Sequence, residues 1–330
     1  MRNWLFLAAL GCLVSLPETN HAEWQLSFPH PSPGKYEDLA AAGTSNAWAI
    51  TAQGEVLHTA DAGATWAVQA TDLGRLRSID FIDEQRGFAG TLTGVLYRTT
   101  DGGATWKDMT SELPRPTLGF CGITHVGERV HVVGRYYGNA ADHYVSTDGG
   151  KTWKVQDLRP TAQGLVEVIF INEKVGFIGG MSGSGASNGG PAIILQTKDA
   201  GETWHPVFTH DGGRGFAWKI FPVTNRIIYA ALQSQDGIYR VAKSTDAGDT
   251  WVVLTVATGQ NMGPAVQGIG FLNADHGFVG GFFEGLWETT DGGKTWAHIT
   301  LGKQDRVVNR FQLIGPTLTT AAGQGIWAYR

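Results

Sequence analysis

An eight-residue pattern, Ser/Thr-x-Asp-x-Gly-x-Thr-Trp, occurs six times in the 330 residues, at Thr59–Trp66, Thr99–Trp106, Ser146–Trp153, Thr197–Trp204, Ser244–Trp251 and Thr289–Trp296. Successive tryptophans lie 40, 47, 51, 47 and 45 residues apart. A spacing of this kind is the signature of a repeat architecture in which each unit stacks on its neighbour. Every copy sits between two apolar, alternating segments, for example Val95-Leu96-Tyr97-Arg98 before the second box, so the pattern reads as a hairpin turn between two strands. Its residue types suit that role. The carboxylates of Asp61, Asp101, Asp148, Asp199, Asp246 and Asp291 can accept backbone N–H groups within the turn. The glycine tolerates positive φ. Trp66, Trp106, Trp153, Trp204, Trp251 and Trp296 each bring a large apolar surface and one N–H to satisfy.

A second element precedes several boxes by about 20 residues. Ile79 to Glu84 followed by Gly87-Phe88-Ala89-Gly90 recurs as Val168 to Glu173 with Gly176-Phe177-Ile178-Gly179, and as Gly268 to Asn273 with Gly277-Phe278-Val279-Gly280. Each is a strand, a polar turn and a second strand. With the box hairpin this makes four strands in roughly 45 residues, the size of a propeller blade. After Trp296, segments 307–313, 317–322 and 325–330 supply three more strands but no box. Glu23-Trp24-Gln25-Leu26-Ser27-Phe28 has the character of a segment that follows a box, such as Thr152-Trp153-Lys154-Val155. The expectation is an all-β, seven-bladed propeller of four-stranded antiparallel blades. The N-terminal strand (about 23–29) joins the last three strands (306–330), which removes exposed sheet edges at the closure. Residues 23–330 then form one domain.

The box is identified as the bacterial neuraminidase repeat, or Asp box. It is shared by sialidases, sortilin-type receptors, xyloglucanases and the photosystem II stability/assembly factor family. The chain resembles the last of these in its single-propeller size, in a box in most blades, in Glu288-Thr289-Thr290-Asp291-Gly292-Gly293-Lys294-Thr295-Trp296, and in the Gly-Phe-x-Gly-Gly element at Gly277 to Gly281. The resemblance covers nearly all of residues 23–330. It implies a non-catalytic binding factor without a cofactor that engages a protein partner, such as a membrane-protein subunit during assembly, in the periplasm or, in a photosynthetic host, the thylakoid lumen. Photosynthetic members carry an arginine patch, which has no clear set of positions here. The repeat is structural, so it speaks for the fold more than for the function.

Net charge is −5 and no run of Lys or Arg stands out, which disfavours a nucleic-acid partner, because phosphate binding needs a clustered basic footprint. Residues 1–22 read as an export signal: Arg2, an apolar run from Trp4 to Leu16, and Asn20-His21-Ala22 as a cleavage site. The run is too short to span a bilayer. Ala9-Leu10-Gly11-Cys12 also reads as a weak lipobox that would make Cys12 a lipid-bearing residue. With the signal removed, Cys121 is the one cysteine left, and a buried small hydrophobe is its plain reading. The histidines lack ligand spacing, so no metal is expected.

In a four-stranded blade the box, between the third and fourth strands, lies on one face. The second-to-third loops and the connectors between blades lie on the other. The box face is scaffold, and the loop face is the place for function. Its second-to-third loops are short at Leu92-Thr93-Gly94 and Phe283-Glu284-Gly285. They lengthen in three adjacent blades, at Arg135 to His143, Met181 to Pro191 and Leu232 to Gly237. The connectors contribute Glu112 to Pro116, Thr209 to Phe216 and Gly302 to Arg306. From these the candidate binding residues are Arg115, Tyr136, Tyr137, Asn139, His143, His210, Asp211, Arg214, Phe216, Gln235, Asp236 and Arg306. His210, Asp211 and Arg214 form the most reactive-looking group, suited to an anion.

The enzyme alternative is a glycan-binding or glycoside-hydrolysing, sialidase-like propeller. No Arg-Ile-Pro occurs, and Arg115-Pro116 sits too far into the chain to stand for it. A xyloglucanase would resemble two propellers around a cleft, and this chain supplies one. The sequence therefore favours a monomeric, non-catalytic propeller that binds a protein through its loop face.

Overall fold

The computed structural model describes residues 22–30, 35–134, 141–159, 161–183, 190–210, 212–233, 236–258, 266–283, 285–301, 307–323 and 325–330. They form seven four-stranded antiparallel sheets. Six blades follow chain order, inner strand to outer strand: residues 36–70, 76–108, 120–157, 162–210, 217–258 and 266–299, numbered 1 to 6. Blade 7 takes Phe311–Ile314, Thr317–Ala322 and Gly325–Tyr329 from the C-terminus and Trp24–Pro29 from the N-terminus. The closing strand pairs from Trp24 opposite Tyr329 to Pro29 opposite Gly325. A further pair of backbone bonds joins Glu23 and Arg330, at 2.7 and 3.0 Å. One 3-10 turn at Thr110–Glu112 is the only helical element among the described residues.

The box turns are uniform because their hydrogen bonds are local. In the first, the Thr59 hydroxyl and the Thr65 N–H donate to Asp61 Oδ1 at 2.7 and 2.8 Å, and the Thr65 hydroxyl donates to Oδ2 at 2.6 Å. The Thr59 hydroxyl oxygen in turn accepts the Gly63 N–H at 3.0 Å. The other five boxes repeat this set. Hydrogen bonds from Thr65, and from its counterparts Thr203, Thr250 and Thr295, hold the carboxyls of Asp61, Asp199, Asp246 and Asp291 down at about 2. Each box also bonds to the first hairpin of its own blade, as Gly102 N–H does to Gln85 O and Gly292 N–H to Asp275 O. Boxes and first hairpins therefore share one face.

Seven of the eight apolar clusters are seams between neighbouring blades, the seventh joining blade 7 to blade 1. Each of six seams places the ring at the start of a second strand against the blade that follows: Trp48, Phe88, His131, Phe177, Tyr229 and Phe278. Trp48 Nε1 donates to Gly102 O at 2.9 Å, and the Tyr229 hydroxyl donates to Gly292 O at 2.9 Å. At Gly150 the approach is so close that a Cβ would lie 2.2 Å from the Phe88 ring. The box glycine is thus required by the neighbouring blade as well as by its φ of 81°. Blade 7 has no box, yet Trp24 stands 5.0 Å from Phe278 at an interplanar angle of 77°. Box tryptophans meet such rings the same way, as Trp153 meets Phe88 at 5.8 Å and 89°.

Candidate functional site at the loop-face mouth of the axis

The inner strands line the axis, and each begins on the loop face. In six of them a β-bulge falls at this end, between Tyr36 and Asp38, Leu76 and Ser78, Phe120 and Gly122, Leu165 and Glu167, Ala217 and Ile220, and Val266 and Gly268. A bulge inserts one unpaired residue and re-aims its side chain. The inserted residues are Glu37, Arg77, Cys121, Val166, the pair Trp218-Lys219, and Gln267. In blade 7, Asn309 and Arg310 immediately precede the inner strand.

The mouth has two halves. On the side of blades 2 to 5 its floor is apolar: Leu92, Cys121, Val166, Met181, Phe216 and Trp218 form one buried cluster. On the side of blades 7, 1 and 2 it is charged. Glu37 takes Arg77 at 2.5 Å and Lys35 at 2.8 Å, and Asn309 donates to it at 3.3 Å. The Arg77 guanidinium lies over the Trp218 ring at 5.4 Å and joins the halves. Burial alone would lower the Arg77 pKa, but Glu37, Cys121 and Asp38 raise it overall, so it is a fixed cation. Lys35 lies 5.7 Å over the ring of Phe282, which is 46% exposed. Its ammonium is pushed down by burial and by nearby Arg77 and Arg75, against the pull of Glu37. Arg75 is exposed. Two cations thus hold one carboxylate, and Arg75 adds a third positive charge close to Lys35.

A second set of charges crosses the axis. Lys219 of blade 5 bonds Glu167 of blade 4 at 2.7 Å and faces Asp38 of blade 1 at 3.5 Å. Arg310, at the entry to blade 7, pairs with Glu167 and lies 3.6 Å from Asp38. Burial would lower the Arg310 pKa, but Glu167 and Asp38 raise it. Asp38, Glu167 and Lys219 are all at most 4% exposed. Every carboxylate of this cluster faces two cations, which suits a fixed electrostatic clamp between blades.

The sequence candidates divide among several fates. Arg115 is half-exposed and held by Asp142, with Asp157 at 3.8 Å. His143 is fully buried and does not reach the loop face. The strand Asp142–Ser146 begins one residue before it, with Asp142 and Tyr144 buried too, and its ring lies in the seam against Trp204 of blade 4. It bonds His131 at 2.9 Å between their facing ring nitrogens. His210 ends the outer strand of blade 4, its ring parallel to Phe208. Arg214 is exposed. Phe216 is buried against Trp218 at 5.0 Å, so it belongs to the floor of the mouth and not to its surface. Asp236 is paired with Arg240 at 2.7 Å. Tyr136, Tyr137, Asn139, Asp211, Gln235, Arg306 and Cys12 lie outside the described residues.

The charged mouth was not among the sequence candidates. Its signal was a charged residue inside an otherwise apolar inner strand, as in Leu76-Arg77-Ser78-Ile79 or Val166-Glu167-Val168. Among the described residues no three His, Cys, Asp or Glu side chains gather as a metal site. No helix among them is long and apolar enough to cross a membrane.

The family pattern of the BNR/Asp-box repeat matches residues 144–155, within the third box region. No curated protein matches the chain. Among solved structures, one described as YCF48 bound to D1 peptide is similar over 96% of this chain and 99% of its own, with 17% identity and a TM-score of 0.69. YCF48 from Cyanidioschyzon merolae is similar over 93% of this chain and 98% of its own, with 17% identity and a TM-score of 0.68. The GH74 enzyme of Niastella koreensis is similar at 20% identity and a TM-score of 0.63, over 90% of this chain but only 51% of its own. These likenesses show a shared propeller fold.

Proposed function

We propose that the chain is a non-catalytic binding propeller that holds a segment of a protein partner at the loop-face mouth, in the manner of an assembly factor. The observation that carries the reading is the pairing of a cationic rim with apolar side chains at one end of the axis. Lys35 and exposed Arg75 stand on one side, Lys35 over the exposed ring of Phe282, and the buried floor around Trp218 lies on the other, next to the connector that carries exposed Leu118. Such a surface suits a polypeptide that offers carboxylates and apolar side chains together. The opposite face is taken up by the box turns. A structure of the same fold is described as YCF48 bound to D1 peptide, which supports a polypeptide partner here. The reading includes export, with residues 1–22 as the leader, and a partner that is a membrane-protein subunit.

A GH74-like hydrolase would be the second reading, but this chain spans about half of that enzyme. The acids described near the mouth are occupied: Glu37, Asp38 and Glu167 by the axial cations, Asp142 and Asp157 by Arg115.

The test is affinity capture from a membrane extract of the native host, with quantified recovery, for the native chain and for Lys35→Glu with Arg75→Glu. A specific membrane protein recovered with the native chain and lost at least tenfold with the variant supports the proposal. Equal recovery by both, or turnover of a glycan by the native chain, overturns it.

A further inference from the structure

We infer that Gln267 and Asn309, beneath the contact of Lys35 with Phe282, are an amide-reading subsite of the mouth, each offering its side-chain oxygen to an amide N–H of the partner segment. The inference rests on the polypeptide reading above and names what the segment brings beside its carboxylate. Gln267 is the residue inserted at the bulge of blade 6, between Val266 and Gly268, so it is aimed at the axis as Glu37 and Arg77 are in blades 1 and 2. It is 4% exposed, and its Oε1 has no hydrogen-bond partner in the protein. Asn309, at the entry to blade 7, is 2% exposed. Its Nδ2 donates to Tyr36 O at 2.8 Å and to Glu37 Oε2 at 3.3 Å. Two acceptors on one side of the amide fix which end is nitrogen, and Oδ1, on the other side, is again without a partner in the protein. The two residues are neighbours, since a Cβ on Gly268 would lie 2.9 Å from Val308 O and 3.2 Å from the backbone carbonyl carbon of Asn309.

The charged groups of this ring pair with one another, whereas these two carboxamides keep an acceptor unused, and a buried acceptor needs a donor. The surroundings select its kind. Lys35 and Arg77 share Glu37 with Asn309, and Arg310 follows Asn309 in the chain. A cationic donor is repelled there. The neutral N–H of a peptide group or of an Asn or Gln side chain fits.

Lys35 covers the site. Its ammonium bonds Glu37 at 2.8 Å and lies 5.7 Å over the Phe282 ring. Phe282 follows Gly281, whose carbonyl accepts the N–H groups of Val307 and Val308 at 2.9 and 3.1 Å, so the contact spans the chain just before Asn309. Lysine is a flexible stem with a hydrated tip. A partner carboxylate that draws Lys35 outward, toward Arg75, opens the way to the two oxygens. Gln267 Oε1 breaks no bond when it turns to meet the N–H. Exposed Phe282 then lies against an apolar part of the same segment.

The probe is a random peptide library displayed on phage, panned on the native chain and counter-selected on Lys35→Glu with Arg75→Glu. Calorimetric titration of the best rim-dependent peptide then compares the native chain with Gln267→Met, which keeps the length and removes the amide. The expected result is an affinity at least tenfold lower, with a urea midpoint unchanged or raised. The N–H is blocked in the peptide by N-methylation of one main-chain amide, or by exchange of an Asn or Gln for Leu. The effective change is expected to cost as much on the native chain and little further on Gln267→Met, and which change is effective tells a main-chain from a side-chain source. Equal affinity of the two chains for a rim-dependent peptide overturns the inference alone and leaves solvent as the donor. A lowered urea midpoint accompanying the lost affinity assigns Gln267 to structure and also overturns it. Failure to recover any rim-dependent peptide overturns the polypeptide reading, and this subsite with it.

Discussion

Three of the six boxes carry alanine where the other three carry glycine. Ala62, Ala200 and Ala247 have φ of 57°, 62° and 63°, close to the 71°, 69° and 74° of Gly102, Gly149 and Gly292. A Cβ in this left-handed region is strained by roughly 1–2 kcal/mol. Glycine relieves that strain but loses more entropy on folding. The net expectation is that Ala200→Gly and Ala247→Gly each stabilise the fold by about 0.5–1 kcal/mol, measured as a rise in the denaturant midpoint at constant slope. The residue one place on behaves differently. Gly150→Ala drives a methyl into the Phe88 ring, and its expected loss of about 3 kcal/mol or more separates the glycine that relaxes backbone strain from the glycine that admits a neighbour.

At the scale of the element, the seam between blades 3 and 4 departs from the others. Where other second strands begin with an aromatic ring, blade 3 places His131, its ring 4.2 Å from Phe170 and parallel to His143 at 5.2 Å. His143 meets Trp204 at 5.4 Å and bonds Gln156 at 3.3 Å. The charged groups nearby are Arg129 and Glu202. Burial, then the neighbouring imidazole and Arg129, push His131 down to about 2. Burial also pushes His143 down to about 4, against the favourable Gln156 bond and Glu202. Both stay neutral in the folded chain while the unfolded chain takes up protons below about 6.5. Stability is therefore complete above that pH and falls as the pH drops toward 4. The loss is on the order of 2–4 kcal/mol at pH 5 for the pair. The melting temperature is expected to drop between pH 7 and pH 5, and His131→Phe is expected to halve the drop. A drop unchanged by His131→Phe would remove this pair as its source. The box aspartates Asp61, Asp199, Asp246 and Asp291, depressed to about 2, contribute only at much lower pH, their stability being lost as the pH falls from about 4 through that value.

At the scale of the whole molecule, two devices hold the ring. The closing strand joins the chain ends in one sheet. The axial cluster ties blades 1, 4, 5 and 7 to one another across the centre. Removing one partner of a buried ion pair leaves a charge uncompensated, at about 3–5 kcal/mol. Lys219→Met, which keeps most of the volume but strands Asp38 and Glu167 with only Arg310 between them, is expected to destabilise by that amount in urea unfolding. A change below about 1 kcal/mol, the range of an exposed pair, would show that the cluster contributes little to holding the ring.

The sequence by itself determined the blade count, the turn chemistry and the closure through the chain ends. Each of these is written in short-range terms: Thr59, Asp61, Gly63 and Thr65 bond within seven residues, and Trp24 could be read as a box tryptophan without its box. The loop-face candidates were legible only as positions. Whether a residue reaches solvent depends on where a strand begins and on which partner waits across the chain. His143 and Phe216 turned inward for the first reason, and Arg115 met Asp142 for the second. The mouth itself belongs to the tertiary structure alone. Glu167 and Arg310 are 143 residues apart, and Asn309 meets Tyr36 across 273. Seven inner strands must converge on one axis before such distant charges share a site.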